Sequence, residues 1–438
     1  MNYTSKTIKK NLNKCITDIS THPEVFVKNP SKDFIRNRKL PFEQMIKGIL
    51  AMSGKSLNGE LMDYFNMNIS MPTVSAFVQQ RDKINYCTFE KLFHSFSNAI
   101  DEHNLFKGFR LLAVDGSDLH VPSNKKESES FYQNSKGYKP FNLLHLNVLY
   151  DLKRNIYTDA IVQPIKYRNE HKAFVTMIDR DDLSIPTIYI ADRGYESYNN
   201  IAHVIEKGQK FLIRVKDVDR FGIVSKLPLP DNEEFDVSVS VELTRSQTKD
   251  TKNSNLKFLS HTSPFDFLPK TSRKSIFIPP YHMTFRVIRF KLTDDKYEVL
   301  ITNLSQEEFT VDELKNIYAM RWGIETSFRN LKYSLSLMLF HSKKTEYILQ
   351  EIFARLTMYN FSQLIISHII VKQKKRKHSY RINFSVSVHI CRKFFLKNIS
   401  PSKLETLLLH HLLPIRQGLT NPRKAHARVA ASFLYRIP

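Results

Sequence analysis

Apolar and polar positions alternate with different periods along the chain. Over residues 1–105 apolar side chains recur three and four apart, as in Phe42, Met45, Ile46 and Ile49, with few strand-like alternations, which predicts a helical region. Within it, SLNGELMDYF and SMPTVSAFVQQRDK predict two short helices, the second capped by Ser70 with Pro72 in its first turn. The pair fits either a helix-turn-helix, with Gln79, Gln80 and Arg81 facing outward, or an ordinary helical hairpin.

From Phe109 to Asp217 strands and helices alternate. FRLLAVD, NLLHLNVLYD and NIYTDAIVQP predict three consecutive strands; a helical patch near Lys172 to Arg180, the strand TIYIAD, a helix from Tyr198 to Lys207 and the strand KFLIRVKD follow. Next comes a β-rich stretch. Phe235, Val237, Val239, Val241 and Leu243 alternate with polar residues, HMTFRVIRFKL and YEVLITNL add two strands, and polar Arg245 to Ser263 predicts an exposed loop. After about Phe340 helical periodicity returns, interrupted by the basic run KQKKRKH, Lys372 to His378, which attracts phosphate backbone without reading sequence.

The segment IYAMRWGIETSFRNLK carries Tyr318, Arg321, Glu325 and Lys332. At about 100° per residue these fall within roughly 60° of arc on one helix, so one face presents a carboxylate between two cations and a phenol. Neighbouring cations stabilise the charged carboxylate, which makes it a poor base and a better metal ligand. A divalent ion needs further oxygens. Asp115 closes the apolar run LLAV and precedes Gly116, where a strand is expected to end and turn; Asp192 closes TIYIA and precedes Arg193 and Gly194 in the same way. Asp118 rivals Asp115 in DGSD, although strand continuity favours the acid directly after LLAV and leaves Asp118 or His120 to support it. Arg193 suits either DNA contact or a salt bridge to Asp192.

Composition adds a polyanionic partner. Lys plus Arg number 66 against 43 Asp plus Glu, the sequence pI is near 9.7, and residues 352–438 hold 16 Lys or Arg with one acid, Glu405. The 438 residues, 42% hydrophobic, suffice for two to four domains. Three distant cysteines give neither a disulfide framework nor a zinc cluster and fit a reducing cytoplasm; there is no apolar signal core and no run near the ~18 residues of a membrane span. GKS at Gly54 to Ser56 lacks the upstream glycine of a phosphate-binding loop, and no zinc-protease or serine-hydrolase motif occurs.

These residues carry a resemblance. AVDGSDL, IADRGY and YAMRWGIETSFRNLK are similar to the three acid-bearing motifs of insertion-sequence DDE transposases of the "insertion sequence four" type, which have a Tyr-Arg-Glu-Lys signature; the resemblance spans roughly residues 106–340. It implies an α/β fold: a ribonuclease-H-like mixed sheet core interrupted by a β-rich insertion, with helical N- and C-terminal regions. The expected divisions are 1–105, a helical DNA-binding region; 106–218, the first part of the core; 219–304, the insertion; 305–345, the second part with the glutamate helix; and 346–438, a basic helical region. In such a core the first and fourth strands lie side by side, which brings Asp115 to Asp192. The resemblance implies that Asp115, Asp192 and Glu325 hold two Mg²⁺ ions, replaceable by Mn²⁺, about 3.5–4 Å apart. Arg321 and Lys332 would hold phosphates and Tyr318 donate to one, in a homodimer that cuts double-stranded DNA at transposon inverted-repeat ends and joins it to target DNA. A hairpin intermediate would need an aromatic platform such as Tyr281 or Phe285 in the insertion. A structure-directed nuclease on the same core and a non-catalytic DNA-binding derivative are the alternatives.

Overall fold

The computed structural model describes residues 4–36, 39–100, 104–133, 140–182, 184–246, 256–270, 278–293, 296–373, 378–396 and 399–415. The N-terminal region folds as α1 (Ser5–Ser20), α2 (Phe42–Ala51), α3 (Leu57–Tyr64), α4 (Val74–Arg81) and α5 (Cys87–Asn98). Each helix turns an apolar stripe inward: Ile8, Leu12 and Ile16 on α1, and Phe89, Phe93 and Phe96 on α5, are fully buried. Thr4, Ser56 and Thr73 cap α1, α3 and α4 by accepting a backbone N–H.

The sheet-forming part runs β1 (Arg110–Val121), β2 (Phe131–Tyr132), β3 (Phe141–Asp151), β4 (Ile156–Pro164), α6 (Glu170–Asp179), β5 (Thr187–Ala191), α7 (Tyr198–Glu206) and β6 (Lys210–Val215). It continues through β7 (Phe235–Thr244), β8 (Lys257–Phe258), β9 (Tyr281–Thr293) and β10 (Lys296–Thr302). Then follow α8 (Val311–Met320), α9 (Trp322–Arg329), α10 (Thr345–Ser367), β11 (Ser379–Ile382), α11 (Phe384–Phe395), α12 (Pro401–His410) and β12 (Leu412–Ile415).

Among the described residues one sheet takes the order β2-β3-β1-β5-β6-β10-β9-β7-β8, with β4 also on β3. The stretch β4-β3-β1 is an antiparallel meander, whereas β1, β5 and β6 are mutually parallel. Three consecutive strands followed by two parallel crossovers make this the strand order of a ribonuclease-H-like α/β core. The β-rich stretch extends the same sheet: β10 pairs antiparallel with β6, β9 with β10 and β7 with β9.

Side-chain parity divides the strands between two cores. Leu111, Ala113, Ile188, Ile190, Leu212 and Leu300 pack with Ile317, Tyr318 and Ile324 of the α8–α9 segment and with the terminal helices. Leu112, Val114, Tyr189, Ala191, Phe211 and Ile213 pack with Phe174 of α6 and Ile201 of α7. The 23-residue α10 is buried on almost every side, polar Gln350, Glu351, Arg355 and Asn360 included. Among the described residues no helix is long and apolar enough to cross a membrane.

Several expectations are corrected here. Strand β1 does not end at Asp115: it continues through Gly116 to Val121, because β3 is long enough to pair with it throughout, from Leu112↔Asp151 to Val121↔Asn142. The cap of α4 is Thr73, not Ser70, since Asn68 draws the Ser70 N–H and hydroxyl into a separate turn. Arg81 does not face outward. It is 1% exposed and donates to Gln350 Oε1 at 2.8 Å, Glu351 Oε1 at 3.1 Å and the Tyr347 carbonyl at 2.7 Å, so α4 is locked to α10 instead. The polar stretch after Arg245 contributes the short strand β8, paired in parallel with β7. Of the basic run Lys372 to His378, residues 374–377 lie outside the described residues, as do residues 416–438 of the basic C-terminal region.

Candidate active site

The site forms where the parallel strands end. The parallel register runs to Ala113↔Ile190; carried on by two residues it would set Asp115 opposite Asp192, whose charge acts on the Asp115 carboxyl. The register Ala191↔Ile213 extended by one lays Asp192 beside Arg214. Parity turns all three toward the face covered by α8 and α9, the segment that carries Tyr318, Arg321 and Glu325. The parallel pairing of β1 with β5 brings acids 77 residues apart in the chain within electrostatic reach of one another.

Each acid is held by a short-range contact. Asp115 Oδ1 accepts the Gly116 N–H at 2.8 Å, Asp192 Oδ1 accepts the Gly194 N–H at 2.8 Å, and Glu325 Oε1 accepts from Arg321 Nη2 at 3.1 Å. Burial pushes the Asp115 carboxyl up to about 6; the nearby charges of Asp192 and Glu325 add to this, while the Gly116 N–H and Arg321 oppose it. The Asp115 carboxyl thus feels the charges of both Asp192 and Glu325. Three oxygen donors suit a divalent cation by their chemistry, and its charge would relieve the repulsion on Asp115. Among the described residues, however, no group of three or more His, Cys, Asp or Glu is gathered into a metal cage, and Glu325 pairs with Arg321.

The four signature residues do not share one regular helix. Arg321 lies between α8 and α9, where three-residue hydrogen bonds tighten the rod: Arg321 N–H to the Tyr318 carbonyl and Ile324 N–H to the Arg321 carbonyl, both 3.0 Å. After α9 the chain widens into a π-turn over Asn330–Ser334, closed by Leu335 N–H on the Asn330 carbonyl at 3.1 Å. Such turns cluster at functional sites because they re-aim side chains. Lys332 sits in this one, with Nζ donating to the Asp118 backbone carbonyl at 3.1 Å. Burial pulls the Lys332 ammonium below its ordinary value, against the attraction of Asp118 and Asp115.

Tyr318 is packed rather than presented. It is 5% exposed, the guanidiniums of Arg214 and Arg321 stand 5.8 and 5.7 Å from its ring centre, and its hydroxyl is buried. Arg193 is exposed and, among the described residues, does not pair with Asp192. Asp118 projects to the other face of β1 from Asp115, where it pairs with His145. Of the aromatics expected to offer a platform, Phe285 is buried, and Tyr281 bonds Glu206 and packs on Phe265 and Phe267. On the signature segment itself Trp322, 56% exposed, and Tyr333, 75% exposed, present rings to solvent. Sequence reasoning missed Arg214; an arginine inside the apolar strand KFLIRV, at a position whose neighbours are core residues, was its only signal. It is anchored by Glu298 at 3.0 Å from the adjacent strand.

Residues 107–361 match the family model described as "Transposase DDE domain". No curated protein matches the chain. Eight chains of solved structure match. One, titled "Cryo-EM structure of piggyBac transposase synaptic complex with hairpin DNA", is 12% identical, with 96% of this chain and 87% of that one covered and a TM-score of 0.45.

Proposed function

Because the chain belongs to the family of transposase DDE domains, whose model spans 255 of its 438 residues, we propose that it cuts double-stranded DNA at transposon ends and joins the released ends to target DNA. The observation that supports the reading is that Asp115 feels the charges of Asp192 and Glu325, on a sheet face covered by the segment that carries Glu325. These three carboxylates would hold divalent ions, Mg²⁺ by their all-oxygen chemistry, with Mn²⁺ able to substitute. When bound, such ions polarise the scissile phosphate and activate the attacking water or 3′-hydroxyl for in-line displacement.

The chain's own residues bind and orient. Arg321, 4% exposed, positions Glu325 at 3.1 Å, and its charge acts on Asp115. Arg214, half-exposed and in line with Asp192, supplies a second guanidinium for a non-bridging phosphate oxygen, and the Tyr318 ring spaces the two cations. Lys332 adds a point charge where the strand β1 extension meets the π-turn. Arg193, exposed and next to Asp192 in the chain, would meet backbone phosphate. Trp322, beside Arg321 at 5.3 Å, offers an exposed ring to an unstacked base, which suits a hairpin route at the cleaved end. The Tyr-Arg-Glu-Lys spacing supports assignment to the "insertion sequence four" type, acting as a homodimer that pairs two ends. The N-terminal helices and the basic C-terminal region would add further contacts to end DNA.

The test is cleavage of DNA carrying the flanking inverted repeats, with and without Mg²⁺. Asp115→Asn, Asp192→Asn and Glu325→Gln are each expected to abolish cleavage while leaving end binding intact. Wild-type cleavage by any one of them removes that residue from the site. Cleavage without joining to target would favour the nuclease reading.

A further inference from the structure

We propose that His145 is a positioning residue that sets Asp115 and Lys332 from the opposite side of the catalytic strand; the inference rests on the reading of Asp115 as a metal ligand. His145 stands on β3, opposite Asp118 in the antiparallel register, with its side chain 2% exposed. Its Nδ1 is 2.7 Å from Asp118 Oδ1, and its Nε2 is 3.1 Å from Oε1 of Glu170, the first residue of α6. Arg168 closes the ring: its guanidinium is paired with Glu170 and stands 3.4 Å from Asp118 Oδ1. Four charged groups from β1, β3 and the start of α6 are thereby tied together behind the sheet.

Two contacts carry this cluster through to the site. The His145 ring lies against Gly116, where an added Cβ would collide with Nε2 and come within 2.9 Å of Cε1. Only glycine lets the ring press on that peptide, and the same peptide's N–H fixes Asp115 Oδ1 at 2.8 Å. The second contact runs through Asp118, whose side chain is held by His145 while its backbone carbonyl receives Lys332 Nζ at 3.1 Å. The imidazole thus determines where one proposed metal ligand and one proposed phosphate ligand sit, without facing either. Burial works against a charge on His145, but Asp118 and Glu170 outweigh it and hold the ring above its ordinary value, consistent with a cation clamped between two anions.

The experiment titrates Mg²⁺ in the DNA cleavage assay with the full-length protein, alongside metal-free DNA binding and thermal unfolding. His145→Ala is expected to raise the half-saturating Mg²⁺ concentration on the order of 10-fold, as removal of groups that orient a metal ligand does, with metal-free DNA binding within about twofold of wild type. His145→Asn, which keeps a donor toward Asp118, recovers part of the loss. Gly116→Ala, which displaces the ring without altering its chemistry, gives the same shift and decides the matter should His145→Ala not fold. Wild-type Mg²⁺ dependence in the folded variants, or a loss of activity that follows melting temperature alone, overturns the proposal. Cleavage by Asp115→Asn would instead overturn the metal-ligand reading beneath it.

Discussion

Glu351 lies at the centre of a buried, cation-rich cluster, and replacing it by glutamine measures what holds the N-terminal helices to the rest of the chain. Its carboxylate, 1% exposed, contacts Arg81 at 3.1 Å, His341 Nδ1 at 3.0 Å and Arg355 at 3.0 Å. Glu60, which accepts from Ser53 and Lys55, stands 3.6 Å from His341 Nε2. Arg81 and Glu351 have side chains 2% and 1% exposed, so neither is screened by water. Removing one partner of a buried pair costs about 3–5 kcal/mol because the other charge is left uncompensated. Arg81→Ala leaves Glu351 with two cations, so its cost falls near 3 kcal/mol. Glu351→Gln leaves Arg81, Arg355 and His341 facing one another, so its cost reaches 5 kcal/mol or about that, enough to unfold much of a chain with ordinary stability. Urea unfolding followed by circular dichroism at 222 nm reads both. Glu351→Gln costing less than Arg81→Ala would refute the claim that excess positive charge governs the cluster.

The same cluster fixes a pH window. Burial opposes the charge of Glu351, but His341, Arg81 and Arg355 hold it well below the usual carboxylate range; Glu60 is also lowered, by His341 and Ser53 against its burial. A lowered carboxyl contributes stability above its unfolded value of about 4.3, lost as pH falls through the folded value. His341 has the opposite sign. Burial pushes it down, yet Glu351 and Glu60 outweigh that and raise it, so its contribution is full below about 6.5 and is lost as pH rises through the folded value. The cluster therefore stabilises most between about pH 4.3 and 6.5, and Glu351→Gln should flatten that maximum.

Two further outcomes test the site. Arg214→Ala should weaken DNA binding across sequences and reduce the slope of log affinity against log salt by about 1, as loss of one phosphate contact does; an unchanged slope would remove Arg214 from the DNA face. Trp322, the chain's one tryptophan and 56% exposed, should lose fluorescence when end DNA binds if bases stack on it, and an unaltered spectrum would count against that contact.

The strands were legible because local periodicity records them. TIYIA, KFLIRV and the alternating Phe235 to Leu243 each became a strand within a residue or two of the expected bounds. Gly116 misled, since a glycine after an acid signals a turn, whereas here it makes room for a ring on the neighbouring strand. Arg81 misled for a related reason: its polar sequence neighbourhood says nothing of a glutamate 270 positions away. Tyr318 reads as part of a polar stripe, yet core packing turns its phenol inward between two arginines.

By itself the sequence determined local facts: most of the strand and helix segments, Asp192 directly after the strand TIYIA, and Glu325 on a helix four residues after Arg321. Those depend on nearest-neighbour sterics and on the periods of 2 and 3.6, which act within a few residues. Only the tertiary structure decided that Arg214 joins the acids, that Tyr318 is enclosed and that His145 stands behind Gly116. Each depends on the register between strands distant in sequence, and one residue of slip would turn every one of those side chains to the other face of the sheet.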